Sequence, residues 1–440
     1  LAQQQYIDLF EKKQLPIRDW ALYYDVYTPQ SDEVNQKYPL IIALHGMENQ
    51  GAHPDKFMEY AGAIMWGWVT PTVQDKYPCY VVAPHFTIKD LDPQPTRGWI
   101  TPETLDALEL LMKKMINEES VDPNRIYVTG HSLGGGSTWA YPVYLMDYFA
   151  AILPTSYASF DPIIETDQAK DIYSKMPIWS VIHRNDGSGG KGSREFIESL
   201  KNPFISTDYY GEQEILLSND RIENLIDAHE NYFHTEYGYP CGGENQLGCH
   251  FAMDSVIADK LIHKWLFQQY KQKPGALSAT VDQVNDEVTV NWQVDNEDDH
   301  VQVWFKRDSE DEWIYGNRSS AKLGMFQFRT LKADNVQIRV LLENSKGFVY
   351  DRFETTLQLN PLGTVKQELE IFPNPANDEL FVRGNTINPS IEISIHSVLG
   401  KKFSIPYTKR LSATVLDISS LKSGVYLLRI NNETFKVIKN

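Results

Sequence analysis

Strand-like apolar runs alternate with stretches of helical periodicity over the first 273 residues. Residues 40–44 and 80–83 are apolar runs, and 125–129, 151–154 and 178–182 continue the series. Between them, residues 54–66 and 101–119 read as helices. In the second, Leu105, Leu108, Leu111, Met112 and Met115 recur at three- and four-residue spacing. Residues 255–270 read as one final amphipathic helix, with Val256, Ile257, Leu261, Ile262, Trp265 and Leu266 on one side. Buried strands separated by helices predict a mainly parallel sheet covered on both faces.

The pattern changes at Lys273-Pro274-Gly275. Beyond it, apolar and polar residues alternate over 288–292, 300–305, 336–341 and 347–353, the period of half-buried strands in a β-sandwich. A further run of short strands and turns reaches Asn440. Three domains are expected: an α/β domain over 1–273, a sandwich over 274–361 and a small all-β domain over 362–440. No fixed-period repeat or long low-complexity stretch interrupts them.

Composition narrows the partners. Hydrophobic residues make up 42% and charged residues 23%, enough for each domain to bury a core. A net charge of −18 argues against a nucleic-acid partner, because phosphate binding needs a basic surface. No apolar run is long enough for a transmembrane helix. Three cysteines fit either a reduced protein or one disulfide with a free thiol. No Cys or His cluster has zinc spacing, so no metal is expected, and no cofactor motif is present.

The chemistry concentrates at Gly130-His131-Ser132-Leu133-Gly134. A strand runs into this G-x-S-x-G and a helical pattern follows it, the strand–turn–helix context of a nucleophile elbow. The outer glycines relieve crowding in the turn, and Ser132 projects at a helix N-terminus whose amides can stabilise an oxyanion. The amide of Leu133 is one expected oxyanion donor. The other is that of Met47, after the strand Leu40-Ile41-Ile42-Ala43-Leu44 and the turn at His45-Gly46.

A serine is a weak nucleophile until a histidine, oriented by a carboxylate, takes its proton. In an α/β-hydrolase the chain order is Ser, acid, His. The strand over 177–183 ends in Arg184-Asn185-Asp186-Gly187, which makes Asp186 the expected acid. A last strand over 232–239 and then Gly248-Cys249-His250 make His250 the expected base. His229 and His234 fall earlier, on a helix and on the strand, and read as structural. His263 reads as a helix-surface residue, and Cys79 as a buried free thiol.

These stretches resemble a group of extracellular esterases that includes poly(3-hydroxybutyrate) depolymerases and feruloyl and acetylxylan esterases. The resemblance lies in Tyr38-Pro39-Leu40-Ile41-Ile42-Ala43-Leu44-His45-Gly46, in Val121-Asp122-Pro123-Asn124-Arg125-Ile126-Tyr127-Val128-Thr129-Gly130-His131-Ser132-Leu133-Gly134-Gly135, and in Gly248-Cys249-His250 with the following Lys264-Trp265-Leu266. It spans most of residues 15–270 and implies Ser132, Asp186 and His250 as a triad, with Met47 and Leu133 at the oxyanion hole. The chain departs from the group at Arg184, where glycine is frequent, and in a long connection over 187–218 that reads as a surface excursion or a lid. Trp292 resembles the core tryptophan of fibronectin type III domains.

Ile371-Phe372-Pro373-Asn374-Pro375-Ala376-Asn377-Asp378 resembles the start of a type IX secretion sorting domain. The segment 391–400, Leu416-Asp417-Ile418-Ser419-Ser420-Leu421-Lys422-Ser423-Gly424-Val425-Tyr426 and the basic-apolar end Phe435-Lys436-Val437-Ile438-Lys439 agree with its later motifs. The resemblance implies export by that machinery across the outer membrane of a Gram-negative bacterium, release or surface attachment, and a removed signal peptide. An exported protein tolerates a disulfide between Cys241 and Cys249, which closes a short loop beside His250 and is worth about 2–3 kcal/mol. Trp99 and His131 are candidate substrate contacts, and His85 and Phe86 end a strand at the edge where pockets form.

The resulting expectation is a secreted serine carboxylic-ester hydrolase acting through an acyl-enzyme on feruloyl or acetyl esters of polysaccharide, or on a polyester. One alternative is a prolyl-oligopeptidase-like peptidase, although no propeller repeat precedes the domain. Another is a surface binding protein on a hydrolase scaffold.

Overall fold

The computed structural model of the chain describes residues 4–30, 36–47, 58, 63–86, 99–145, 147–156, 162–186, 190–200, 205–207, 218–238, 247–250, 252–284, 287–310, 312–329, 335–358, 370–383, 393–398, 400–409, 414–430 and 433–440. It divides into two compact units, Leu1–Gln272 and Lys273–Asn440.

The first unit is built on a nine-stranded sheet in the order β1-β2-β4-β3-β5-β6-β7-β9-β8. Its strands are β1 (Glu11–Ile17), β2 (Trp20–Tyr27), β3 (Tyr38–Leu44), β4 (Tyr80–Pro84), β5 (Val121–His131), β6 (Ala151–Thr155), β7 (Ile178–His183), β8 (Ile205–Thr207) and β9 (Tyr232–Tyr237). β1 and β2 form an antiparallel hairpin, β2 pairs antiparallel with β4, and the remaining pairs are parallel. This is the α/β-hydrolase fold. Every residue of β3, β4, β6 and β7 is buried, the burial expected of strands covered on both faces.

Helices cover the sheet. α1 (Pro102–Glu118) starts at Thr101, whose side chain accepts the amide of Thr104, and Pro102 supplies the favoured first helical residue. Its inward face carries Leu108, Leu111, Met112 and Met115, with Leu105 partly buried against the same core. α2 (Leu133–Tyr144) follows β5 and is buried along nearly its whole length. α3 (Gly190–Leu200) and β8 fall within the connection over 187–218, and β8 adds a parallel edge strand beside β9; residues 208–217 lie outside the described residues.

The single final helix expected over 255–270 is two helices, α4 (Met253–Ala258) and α5 (Lys260–Phe267). Asp259 divides them. Its backbone is extended, and its carboxylate accepts the amides of Leu261 and Ile262, so it starts a new helix instead of continuing the old one. Restarting also turns His263 inward. It is buried against Trp68, with a ring separation of 5.6 Å, and is not a surface residue.

The second unit begins with seven antiparallel strands in two sheets. β10 (Leu277–Val284), β11 (Glu287–Val294) and β14 (Met325–Arg329) form one. The other runs β13 (Ile314–Ser320), β12 (His300–Arg307), β15 (Val336–Glu343), β16 (Val349–Leu357). Trp292 lies in their shared core and donates its indole N–H to the carbonyl of Ala321. Two four-stranded sheets follow, built from β17 (Glu370–Phe372) to β24 (Glu433–Lys439) around Leu380, Leu416, Leu428 and Val437. Phe372 and Phe381 pack on the sandwich core, where the Phe305 and Phe372 rings lie 5.2 Å apart. The domain boundary expected at residue 361 lies outside the described residues.

Candidate active site

The strand order reverses where β3 and β5 lie side by side, β4 being reached on one side and β6 on the other. A crevice for a ligand forms at the carboxyl ends of strands at such a switch point. The site grows from the ends of these two strands.

Ser132 joins β5 to α2 with φ 55° and ψ −120°, a conformation that a residue with a β-carbon adopts only when its surroundings enforce it. The surroundings are visible. A β-carbon on Gly130 would stand 2.3 Å from the carbonyl oxygen of Gly134, and one on Gly134 would stand 2.4 Å from that of Leu44. Only glycine at both positions lets the turn close on itself and on the end of β3. From the other side, the Ser132 amide donates to the carbonyl of Thr155 at 3.2 Å, and the Thr155 hydroxyl donates to that of Gly130 at 2.9 Å. The elbow is therefore clamped between β3 and β6. The Ser132 hydroxyl does not cap α2 and stays available.

It faces His250. The Ser132 Oγ lies 2.8 Å from Nε2, and Asp186 Oδ2 lies 2.9 Å from Nδ1 on the opposite side of the ring. The carboxylate fixes the proton on Nδ1 and leaves the Nε2 lone pair toward the serine, the tautomer that a general base needs. Asp186 is buried, whereas the His250 side chain is 22% exposed, so the relay opens to solvent at its imidazole end.

Asp186 reaches this place although Arg184 stands where glycine is frequent in the resembling esterases. The Arg184 amide donates to the carbonyl of Tyr237, extending the β7–β9 ladder by one residue, and the Asp186 amide then turns back to the carbonyl of His183 at 2.9 Å. His250 ends a short 3-10 helix, Leu247–His250. The preceding Cys249 is buried and disulfide-bonded. Its expected partner, Cys241, lies outside the described residues.

Leu133 is the first residue of α2, so its amide has no acceptor within the helix. Met47 is exposed beyond the end of β3. His45 holds the turn that leads to it, a role that only its place before Gly46 hints at in the sequence. The ring is fully buried. Nδ1 donates to the carbonyl of Gly46 at 2.7 Å, Nε2 accepts the amide of Phe86 at 3.1 Å, and the His45 carbonyl accepts the Trp99 indole N–H at 2.9 Å. Burial pushes the imidazole down to about 3, so it stays neutral and keeps the one tautomer that serves both ring bonds.

The two candidate substrate contacts are placed differently from expectation. Trp99 is fully buried; besides bonding His45, its amide donates to the Ser137 hydroxyl at 2.6 Å, and its ring lies 4.7 Å from that of His45. It supports the loop after β3 and offers no face to a substrate. His131 is also fully buried, its ring 4.8 Å from that of His250 and tilted by 58°. His131 ends β5, whose last six residues are all buried, so its place beside the motif does not make it a pocket residue. His85 and Phe86 are buried too, with His85 Nε2 2.6 Å from the fully buried Asp25 carboxylate. His234 is buried and lies 3.0 Å from Glu236, a structural place on β9. Cys79 is a buried free thiol, as expected.

Residues 370–440 match the family described as a secretion system C-terminal sorting domain. No curated protein matches the chain significantly. Among solved structures the chain is similar to a thermostable esterase, at 23% identity over 61% of this chain and 64% of that one, with a TM-score of 0.46. The chain thus spans less than two thirds of that esterase. It is also similar to a ferulic acid esterase, at 14% identity over 58% of this chain and 98% of that one, with a TM-score of 0.39. A feruloyl esterase module from Clostridium thermocellum, complexed with sinapinate, is 16% identical over 58% of this chain and 87% of that one, with a TM-score of 0.38.

Proposed function

We propose that the protein is a secreted serine carboxylic-ester hydrolase. The observation that carries this reading is the continuous relay from Asp186 through His250 to a hydroxyl held on a strained elbow, with spacings of 2.9 and 2.8 Å. Ser132 attacks the ester carbonyl while His250 Nε2 takes its proton. Asp186 holds the ring and offsets the charge of the imidazolium. The amides of Leu133 and Met47 receive the oxyanion. Collapse of the tetrahedral intermediate releases the alcohol, protonated by His250, and leaves an acyl-Ser132. Water activated by the same histidine then frees the acid and restores the serine.

The substrates we assign are feruloyl or acetyl esters on polysaccharide, or a polyester. They follow from the resemblance of the elbow and histidine stretches to that esterase group. The sorting domain over 370–440 fits export by type IX machinery and delivery to the cell surface or medium. The seven-stranded sandwich, three strands against four around Trp292, is read as fibronectin type III-like.

A fluorophosphonate probe tests the nucleophile directly. Peptide mass analysis is expected to place one adduct on Ser132 and none in Asp186→Asn at matched times. Release of ferulate from methyl ferulate, acetate from acetylated xylan and hydroxybutyrate from polymer film then orders the acyl groups. Labelling at another residue would overturn the assignment.

A further inference from the structure

We infer that His131 is a positioning residue whose ring supports the imidazolium that forms on His250 during turnover. The inference rests on the reading of Ser132, Asp186 and His250 given above. His131 is the residue before the nucleophile, so the strained elbow that fixes Ser132 fixes this ring as well. It is fully buried, and its centroid lies 4.8 Å from that of His250. That is within the range at which a cation is attracted by a ring face. Asp186 contacts one edge of His250 and Ser132 the other, and the His131 ring lies against it as a third partner.

The support depends on His131 remaining uncharged. Burial pushes the His131 imidazole down to about 3; the neighbouring His250 acts in the same direction, and the Asp186 carboxylate opposes both without prevailing. At a working pH near neutrality the ring is therefore neutral while His250 cycles between neutral and protonated forms. A protonated His131 would instead repel the imidazolium.

The test compares His131→Leu and His131→Phe in the full chain, with His131→Met as a second non-aromatic variant should the leucine variant fail to fold. Folding is checked by thermal unfolding, and kcat/KM for p-nitrophenyl acetate is followed from pH 4.5 to 9. The non-aromatic variants are expected to lose about fivefold in kcat/KM, with the acid limb displaced by about half a pH unit to lower pH. His131→Phe, which restores a ring face, is expected to recover most of the rate and the wild-type acid limb. Equal rates and an unmoved acid limb in leucine and phenylalanine variants would overturn the inference, leaving His131 as packing alone. A wild type that neither hydrolyses the ester nor takes the fluorophosphonate at Ser132 would instead refute the underlying triad reading.

Discussion

Gly134 and Leu44 meet so closely that a β-carbon on the glycine would lie 2.4 Å from the leucine carbonyl oxygen. The start of the helix that follows the nucleophile is thereby locked against the end of β3, which leads into the loop of Met47. The two expected oxyanion donors flank this contact in sequence, Leu133 just before Gly134 and Met47 just after the end of β3. The atom that a new methyl group would strike is backbone, so no rotamer change relieves it. Gly134→Ala is expected to cost about 1–3 kcal/mol of stability and to lower kcat by at least tenfold. Urea denaturation and ester hydrolysis read the two effects separately.

His45 ties three chain segments through two ring nitrogens and its carbonyl. His45→Ala removes both ring bonds and leaves the buried amide of Phe86 without its acceptor. The loop of Met47 then loses its hold, and kcat is expected to fall by roughly 10²-fold, the effect of losing an oxyanion donor, with little change in KM. A proportional rise in KM with unchanged kcat would place His45 outside the oxyanion machinery.

Acid stability follows from buried histidines. Burial lowers His45 and His131 to about 3 and His263 to about 4 in the folded chain. The unfolded chain titrates near 6.5, so between that pH and the folded values it binds more protons. Stability from these groups is complete above about pH 6.5 and is lost as pH falls, toward about 4 for His263 and about 3 for His45 and His131. Each contributes a slope of up to about 1.4 kcal/mol per pH unit well below pH 6.5. Urea unfolding of the first unit, followed by tryptophan fluorescence at pH 7.5, 6 and 5, measures the slope. His263→Phe is expected to flatten it.

The elbow was readable because its signals are contiguous: a strand, two glycines around a serine, and a helix. Asp186 and His250 could be placed near Ser132 because chain order in this fold limits the candidates to two strand ends. Direction was harder to read. Trp99 and His131 have the composition of pocket residues, yet both are fully buried: His131 ends β5, whose last six residues are all buried, and Trp99 is tied to His45 and Ser137. His263 falls on the exposed face only if the helical phase runs unbroken through Asp259, where the chain in fact ends one helix and caps the next. The β1–β2 hairpin has a weak sequence signal: β1, Glu-Lys-Lys-Gln-Leu-Pro-Ile, is mostly exposed and carries little apolar alternation. His45 has a role that no local pattern announces, since its partners Phe86 and Trp99 lie 41 and 54 residues away.

Cys79 gives a check on the core that is independent of catalysis. Burial pushes its thiol up to about 12, and its sulfur lies 3.2 Å from the Gln74 side-chain amide. Iodoacetamide at pH 8 is expected to leave Cys79 unmodified in the native chain and to alkylate it once urea unfolds the first unit. Rapid native alkylation would contradict the packing of β4.

The most direct measurement is hydrolysis of p-nitrophenyl acetate and butyrate at neutral pH by the wild type and Ser132→Ala. The triad requires that the wild type turn over at least one ester and that the variant lose at least 10³-fold in kcat with its thermal unfolding unchanged. Equal activity in the two proteins, or none in either, would contradict the assignment of Ser132 as the nucleophile of an esterase.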